Sequence, residues 1–184
     1  MLPRCLALLL VLSVPCVVLA DSAPAMTRES ATVATPQDRH FITHFLQASI
    51  AATEAGALAA RQASAPELRA YGEQLLRSLG QAGHELGQLV APLHLPPLPD
   101  DPDADHKALM LRLQQGSPAQ FDQVFLASQL EHQEDLLSVL SIEAATGDQP
   151  VLRSFATRQL PVVQELRQRA LSLRDRTPES AAVP

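Results

Sequence analysis

Three features of the 184-residue chain predict an all-α fold of four long helices. Four helix-start signals divide it, and each is followed by apolar residues at helical spacing. No stretch sustains the strict alternation of a half-buried strand.

The start signals are Thr35-Pro36-Gln37-Asp38, Ser64-Ala65-Pro66-Glu67, Ser117-Pro118-Ala119-Gln120 and Asp148-Gln149-Pro150. Each sets a capping side chain before a proline, whose missing amide is no loss in a first turn. Glu67 and Gln120, three residues after their serines, predict capping boxes. The first stripe runs Phe41, Phe45, Ala48, Ala52, Ala55, Ala59, and the second Leu68, Tyr71, Leu75, Leu79, Ala82, Leu86, Leu89. The third runs Phe121, Phe125, Gln129, His132, Leu136, Leu140, Glu143, and the fourth Leu152, Phe155, Gln159, Val163, Leu166, Ala170, Leu173.

Short links near Ser64 and Gly147 make the first and second helices, and the third and fourth, antiparallel neighbours. Between the hairpins lies PLHLPPLPDDPDAD, residues 92–105, followed by a short helix expected over 106–115. About twelve extended residues at about 3.1 Å each cover most of the ~40 Å length of a roughly 27-residue helix. The connection can therefore travel the length of the bundle. Two hairpins joined by one long proline-rich crossover is the ferritin-like arrangement of a four-helix bundle.

The ends of the chain read differently. Residues 1–20, MLPRCLALLLVLSVPCVVLA, have an early Arg, an apolar run from Cys5 and small residues at Val18 and Ala20, the pattern of a cleaved secretory signal peptide. Residues 21–34 are an expected disordered linker, 35–176 the helical domain and 177–184 a disordered tail. The apolar run falls short of the roughly 20 residues a membrane span needs, and Pro15 interrupts it. Pro15 also stands where lipidation of Cys16 would require a small residue. No integral membrane span is expected after cleavage, and the location is periplasmic or extracellular.

Cys5 and Cys16 both lie in the removable stretch, which excludes thiolate metal sites, thioether-linked haem and cysteine nucleophiles from the mature chain. A net charge of -6 argues against nucleic acid and anionic lipid, and the absence of Trp with one Tyr against base stacking. No GxSxG elbow or glycine-rich phosphate loop occurs, so no enzyme activity is expected.

The segments FITHFLQASIAATEAGALAARQAS, PELRAYGEQLL and QFDQVFLASQLEHQEDLLSVLSIEAATGDQPVLRSFATRQLPVVQELRQ together resemble a bacterial secreted family, domain of unknown function 4142, over roughly residues 38–173. That family is held to be ferritin-like and is often labelled an outer membrane protein, although no barrel strands occur here. The resemblance implies a Glu on the first helix, Asp-His on the second and a His on each of the last two. Glu54 matches, but Ser78-Leu79, Gln133 and Leu166 stand in the other places.

A ferritin-like bundle holds metal with inward carboxylates and imidazoles, often as Glu-x-x-His, and no Glu-x-x-His occurs. His132 is one position from the implied histidine, a turn of about 100° around the helix. What remains is a residual cluster of Glu54, His132 and Glu143. The expectation is a degenerate site without metal or other cofactor, in a non-catalytic envelope protein that binds an unidentified protein or small ligand or serves structurally. A metal-binding or redox protein using Glu54, His132 and Glu143 is one alternative, and an amphipathic bundle that opens onto lipid another.

His40 and His44 lie one turn apart near the start of the first helix, and His84 beside Glu85 on a polar flank. His94 falls in the crossover, and His106 beside Asp103 and Asp105, a charged loop or a weak ion site. Gly72, Gly80, Gly83 and Gly87 mark one helix, each at about 1 kcal/mol against Ala. They read either as a binding groove or as close packing on the Ala-rich first helix.

Overall fold

The computed structural model describes residues 34–93, 95, 97 and 104–176. The expected signal peptide, most of the linker, the tail, His94 and Asp103 lie outside the described residues. Among the described residues the protein is all-α, without strands: α1 is Pro36–Gln62, α2 Pro66–Val90, α3 Ala104–Gln115, α4 Pro118–Thr146 and α5 Pro150–Arg174. A 3-10 turn at Ala91–Leu93 extends α2. The short helix α3 begins two residues earlier than its expected start, and Ala34 is buried against the helices rather than part of a loose linker.

Two start signals act as capping boxes and two do not. Thr35 and Asp38 bond reciprocally at the head of α1, with Asp38 N donating to Thr35 Oγ1 at 3.2 Å and Thr35 N to Asp38 Oδ2 at 2.8 Å. Ser117 and Gln120 do the same for α4. Ser64 with Glu67 forms no box: Ala65 is the N-cap of α2 and makes no side-chain cap. Ser64 instead reaches across to α4, giving its amide to Asp122 Oδ1 at 3.1 Å and its hydroxyl to Asp122 Oδ2. Gln149, not Asp148, is the N-cap of α5, and it too makes no side-chain cap. Both exceptions sit in tight turns between antiparallel helices, and at Ser64 the neighbouring α4 takes the capping side chain.

The apolar stripes become the core. Every member of the first and fourth stripes is buried, as are Leu68 through Leu86 of the second. Phe45 and Phe155 meet edge to face at 5.1 Å between centroids, a favoured geometry for aromatic rings. The helix-two glycines pack against α1. A Cβ on Gly72 would lie 2.5 Å from the Gly56 carbonyl oxygen, and one on Gly56 2.6 Å from that of Gly72, so the two backbones touch where neither has a side chain. Gly80 faces the Thr53 methyl and Gly83 faces Ser49, while only Gly87 of this set looks onto open space. Close packing, rather than a groove, explains the run from Gly72 to Gly83.

The four long helices neighbour one another in the pairs α1–α2, α4–α5, α1–α4 and α2–α5. Hydrogen bonds give their directions. Ser64, at the end of α1, meets Asp122 at the start of α4, while Gln37, at the start of α1, donates to Thr146 at the end of α4 at 2.9 Å. The chain between α2 and α4 must therefore return along the full helix length, and α3 is part of that return. Only His106 and Leu113 of α3 are buried, so it lies as a strap on the outside.

The two hairpins follow one plan. His132 and Ala48, 84 residues apart, are in direct contact, and the same offset relates Asp38 to Asp122, Phe41 to Phe125, Ala63 to Gly147, Arg69 to Arg153 and Tyr71 to Phe155. The T-shaped pair Phe41–Phe155, at 65°, repeats as Phe125–Tyr71 at 63°. Arg69 Nη1 donates to the turn carbonyl of Ala63 at 2.7 Å, and Arg153 Nη1 to that of Gly147 at 2.6 Å. The hairpins are thus related by an approximate twofold axis near Ala48 and His132.

Candidate functional site

The expected cluster does not assemble. Glu54 is nearly half exposed, with Oε2 3.5 Å from Nε2 of His106 on α3. It precedes Ala55 in the apolar stripe, and about 100° of rotation per residue turns it away from the core. His132 Nε2 sits 2.9 Å from the Ala48 carbonyl oxygen on the α1–α4 seam. Glu143 is eleven residues beyond His132, about 16 Å along the helix, at the far end beside Asp38. Among the described residues, no group of three or more His, Cys, Asp or Glu is arranged to hold a metal ion.

The inner positions where the family resemblance implies ligands are filled by core. Leu79, Gln133 and Leu166 have no exposed surface. Gln133 donates its amide to the Tyr71 hydroxyl, and the Arg169 guanidinium lies over the Tyr71 ring at 5.9 Å from its centroid while bonding to Gln74. Burial pushes the Tyr71 hydroxyl up to about 12, so this phenol stays neutral and serves as a hydrogen-bonding post in the core.

A polar cleft of about 500 Å³ opens instead between α1, α3 and α4. Helix α1 contributes His44, Gln47 and the Ala48–Ala51 edge, and α3 contributes Asp105, His106, Leu109 and Arg112. Helix α4 contributes Ser128, Glu131, His132 and Asp135. Those four occupy i, i+3, i+4 and i+7, one face of the helix, and the spacing was present in the sequence. What the sequence could not show is that α3 folds over that face, bringing imidazoles from three helices and three carboxylates around one opening. His132 is the one member of the expected cluster that lines it, and Glu54 touches it only through His106.

The opposite end of the α1–α4 seam holds a buried acid pair. Asp38 and Glu143 are both buried, and neither Glu143 oxygen meets a hydrogen-bond donor among the described residues. Burial, with Asp38 adjacent, pushes the Glu143 carboxyl up to about 7. Its available hydrogen bond is the one it makes with its own proton to Asp38. The side chain folds back over Gly147, where a Cβ would collide with the carboxyl group and approach the Glu143 carbonyl oxygen to 2.7 Å.

Fold and site together define an all-helical domain with a filled core, a polar cleft on its flank and a buried acid pair at one end. The chain belongs to the family described as a domain of unknown function, DUF4142, whose model matches residues 23–173. No curated protein and no solved structure matches it. No helix among the described residues is long and apolar enough to cross a membrane.

Proposed function

We propose that this protein is an exported, non-catalytic, ferritin-like four-helix bundle of the cell envelope that acts by binding a small cationic ligand in the cleft beneath α3. The observation that carries this reading is the contrast between inside and flank. Leu79, Gln133 and Leu166 close the interior, whereas the cleft is polar and large enough for a small ligand. Asp105, Glu131 and Asp135 outnumber Arg112 on its walls, so a cation gains more there than an anion. The return of the chain along the helix length supports the ferritin-like connection. The apolar run in residues 1–20 supports export.

Calorimetric titration with 1,4-diaminobutane tests the binding role. Saturable binding weakened by Asp135→Asn and by His132→Ala is the expected result, and no heat at millimolar diamine would overturn it. Intact-mass analysis of the exported chain should give an N-terminus at Asp21. A retained residue 1 or a lipidated Cys16 would contradict export by cleavage.

A further inference from the structure

Each end of the α1–α4 seam has an aspartate that meets the turn of the other hairpin. At one end Asp122 of α4 takes the amide and hydroxyl of Ser64 from the α1–α2 turn. At the other, Asp38 of α1 takes the amide of Gln149 from the α4–α5 turn at 3.5 Å, besides the amide and hydroxyl of Thr35. Each carboxylate thus ties the head of one hairpin to the turn of the other. In the 84-residue register, however, Glu143 has Ala59 as its counterpart, so a second carboxyl faces the tie at one end only.

We propose that Asp38 and Glu143 form a proton-operated latch between the head of α1 and the α4–α5 turn, closed while Glu143 carries a proton and loosened when it is lost. Glu143 has the surroundings this requires. Asp38 from α1 and Asp148 from the turn oppose its negative charge, and among the described residues Arg153 from α5 favours it. Arg153 is also committed to the carbonyls of Gly147 and Asp148. The carboxyl lies in the last turn of α4, where the helix dipole disfavours an anion. Gly147 leaves room for the side chain to fold back, and any Cβ there would evict it.

With its carboxyl raised to about 7 in the closed state, against an ordinary value near 4.5, Glu143 holds its proton more tightly when latched. The latch is most stable in acid, weakens as pH rises from about 4.5 to 7, and changes no further above that.

Amide hydrogen exchange on the intact chain reads each end separately. The protection factors of the Thr35 and Gln149 amides should fall by up to about tenfold per pH unit between pH 5 and 7. Those of the Ser64 amide at the Asp122 end should stay level. Glu143→Gln, which keeps a donor for Asp38 but cannot titrate, should flatten the dependence. A Gln149 amide that follows the course of Ser64, or a Glu143→Gln protein with the original dependence, would overturn the latch. Should the variant fail to fold, the Glu143 carboxyl carbon resonance of the unmodified chain decides: a midpoint near 7 supports the latch and one below 5 refutes it.

Discussion

The first hairpin is the plainer of the two. Where α4 carries Gln129, His132, Gln133, Leu140 and Glu143, the same register of α1 has Phe45, Ala48, Ser49, Gly56 and Ala59. The α1 residues are small or apolar, and they let α1 and α2 touch backbone to backbone at Gly56 and Gly72. At these five positions the second hairpin has four polar side chains and the first only Ser49. One helical plan has been used twice, once for close packing and once to carry chemistry. The residues worth testing are therefore those where the two copies differ.

The largest expected effect breaks the filled interior that both hairpins share. Leu79→Ala should cost about 2–5 kcal/mol in a denaturant titration, as buried leucines do. A loss below about 0.5 kcal/mol would place Leu79 at the surface. Next comes the contact that sets the first hairpin apart. Gly72→Ala should cost about 1–3 kcal/mol because its methyl meets the Gly56 carbonyl and the Ala59 side chain rather than a flexible group. In the second hairpin Ala156 occupies that place, and the reverse change Ala156→Gly should cost about 1 kcal/mol through helix propensity, plus whatever packing its methyl provides. Equal tolerance of Gly72→Ala and wild-type glycine would remove the backbone contact as the reason for the glycine.

A smaller change sharpens the comparison of the two ties. Ser64→Ala deletes the hydroxyl bond to Asp122 and should cost about 1 kcal/mol without introducing a pH dependence. Stability measured in acid and at neutral pH should then fall together in wild type and Ser64→Ala, while Glu143→Gln should lose the decline between pH 4.5 and 7. Metal is expected to have the smallest effect. Divalent ions or chelator should leave the melting temperature unmoved, since an ion bound only by the folded state would raise it. One ion per chain retained through gel filtration and lost on Glu54→Ala would contradict this.

The helices were legible because their signals are local and repeated: a periodic stripe after a proline-bearing start needs no knowledge of the partner. The capping box at Ser117 was legible for the same reason. Ser64 misled because its local pattern is that of a cap, whereas a carboxylate 58 residues away takes both of its donors. Glu54 misled through one residue of phase, which turns it from core to flank. The cleft depends on where α3 comes to rest, a matter of tertiary packing that no spacing within α4 encodes. His132 and Glu143 were correctly placed on a common face, but eleven residues separate them and each answers to a different neighbour.

Ligand chemistry is proposed to sit on the flank, in the cleft that α1, α3 and α4 enclose, and not in the filled interior. Side-chain NMR during a titration with 1,4-diaminobutane tests it most directly. The ring resonances of His44, His106 and His132 should move together with one saturation curve, while the methyl resonances of Leu79 and Leu166 and the ring of Tyr71 stay in place. Movement of the interior resonances with the three histidines unchanged would contradict the account.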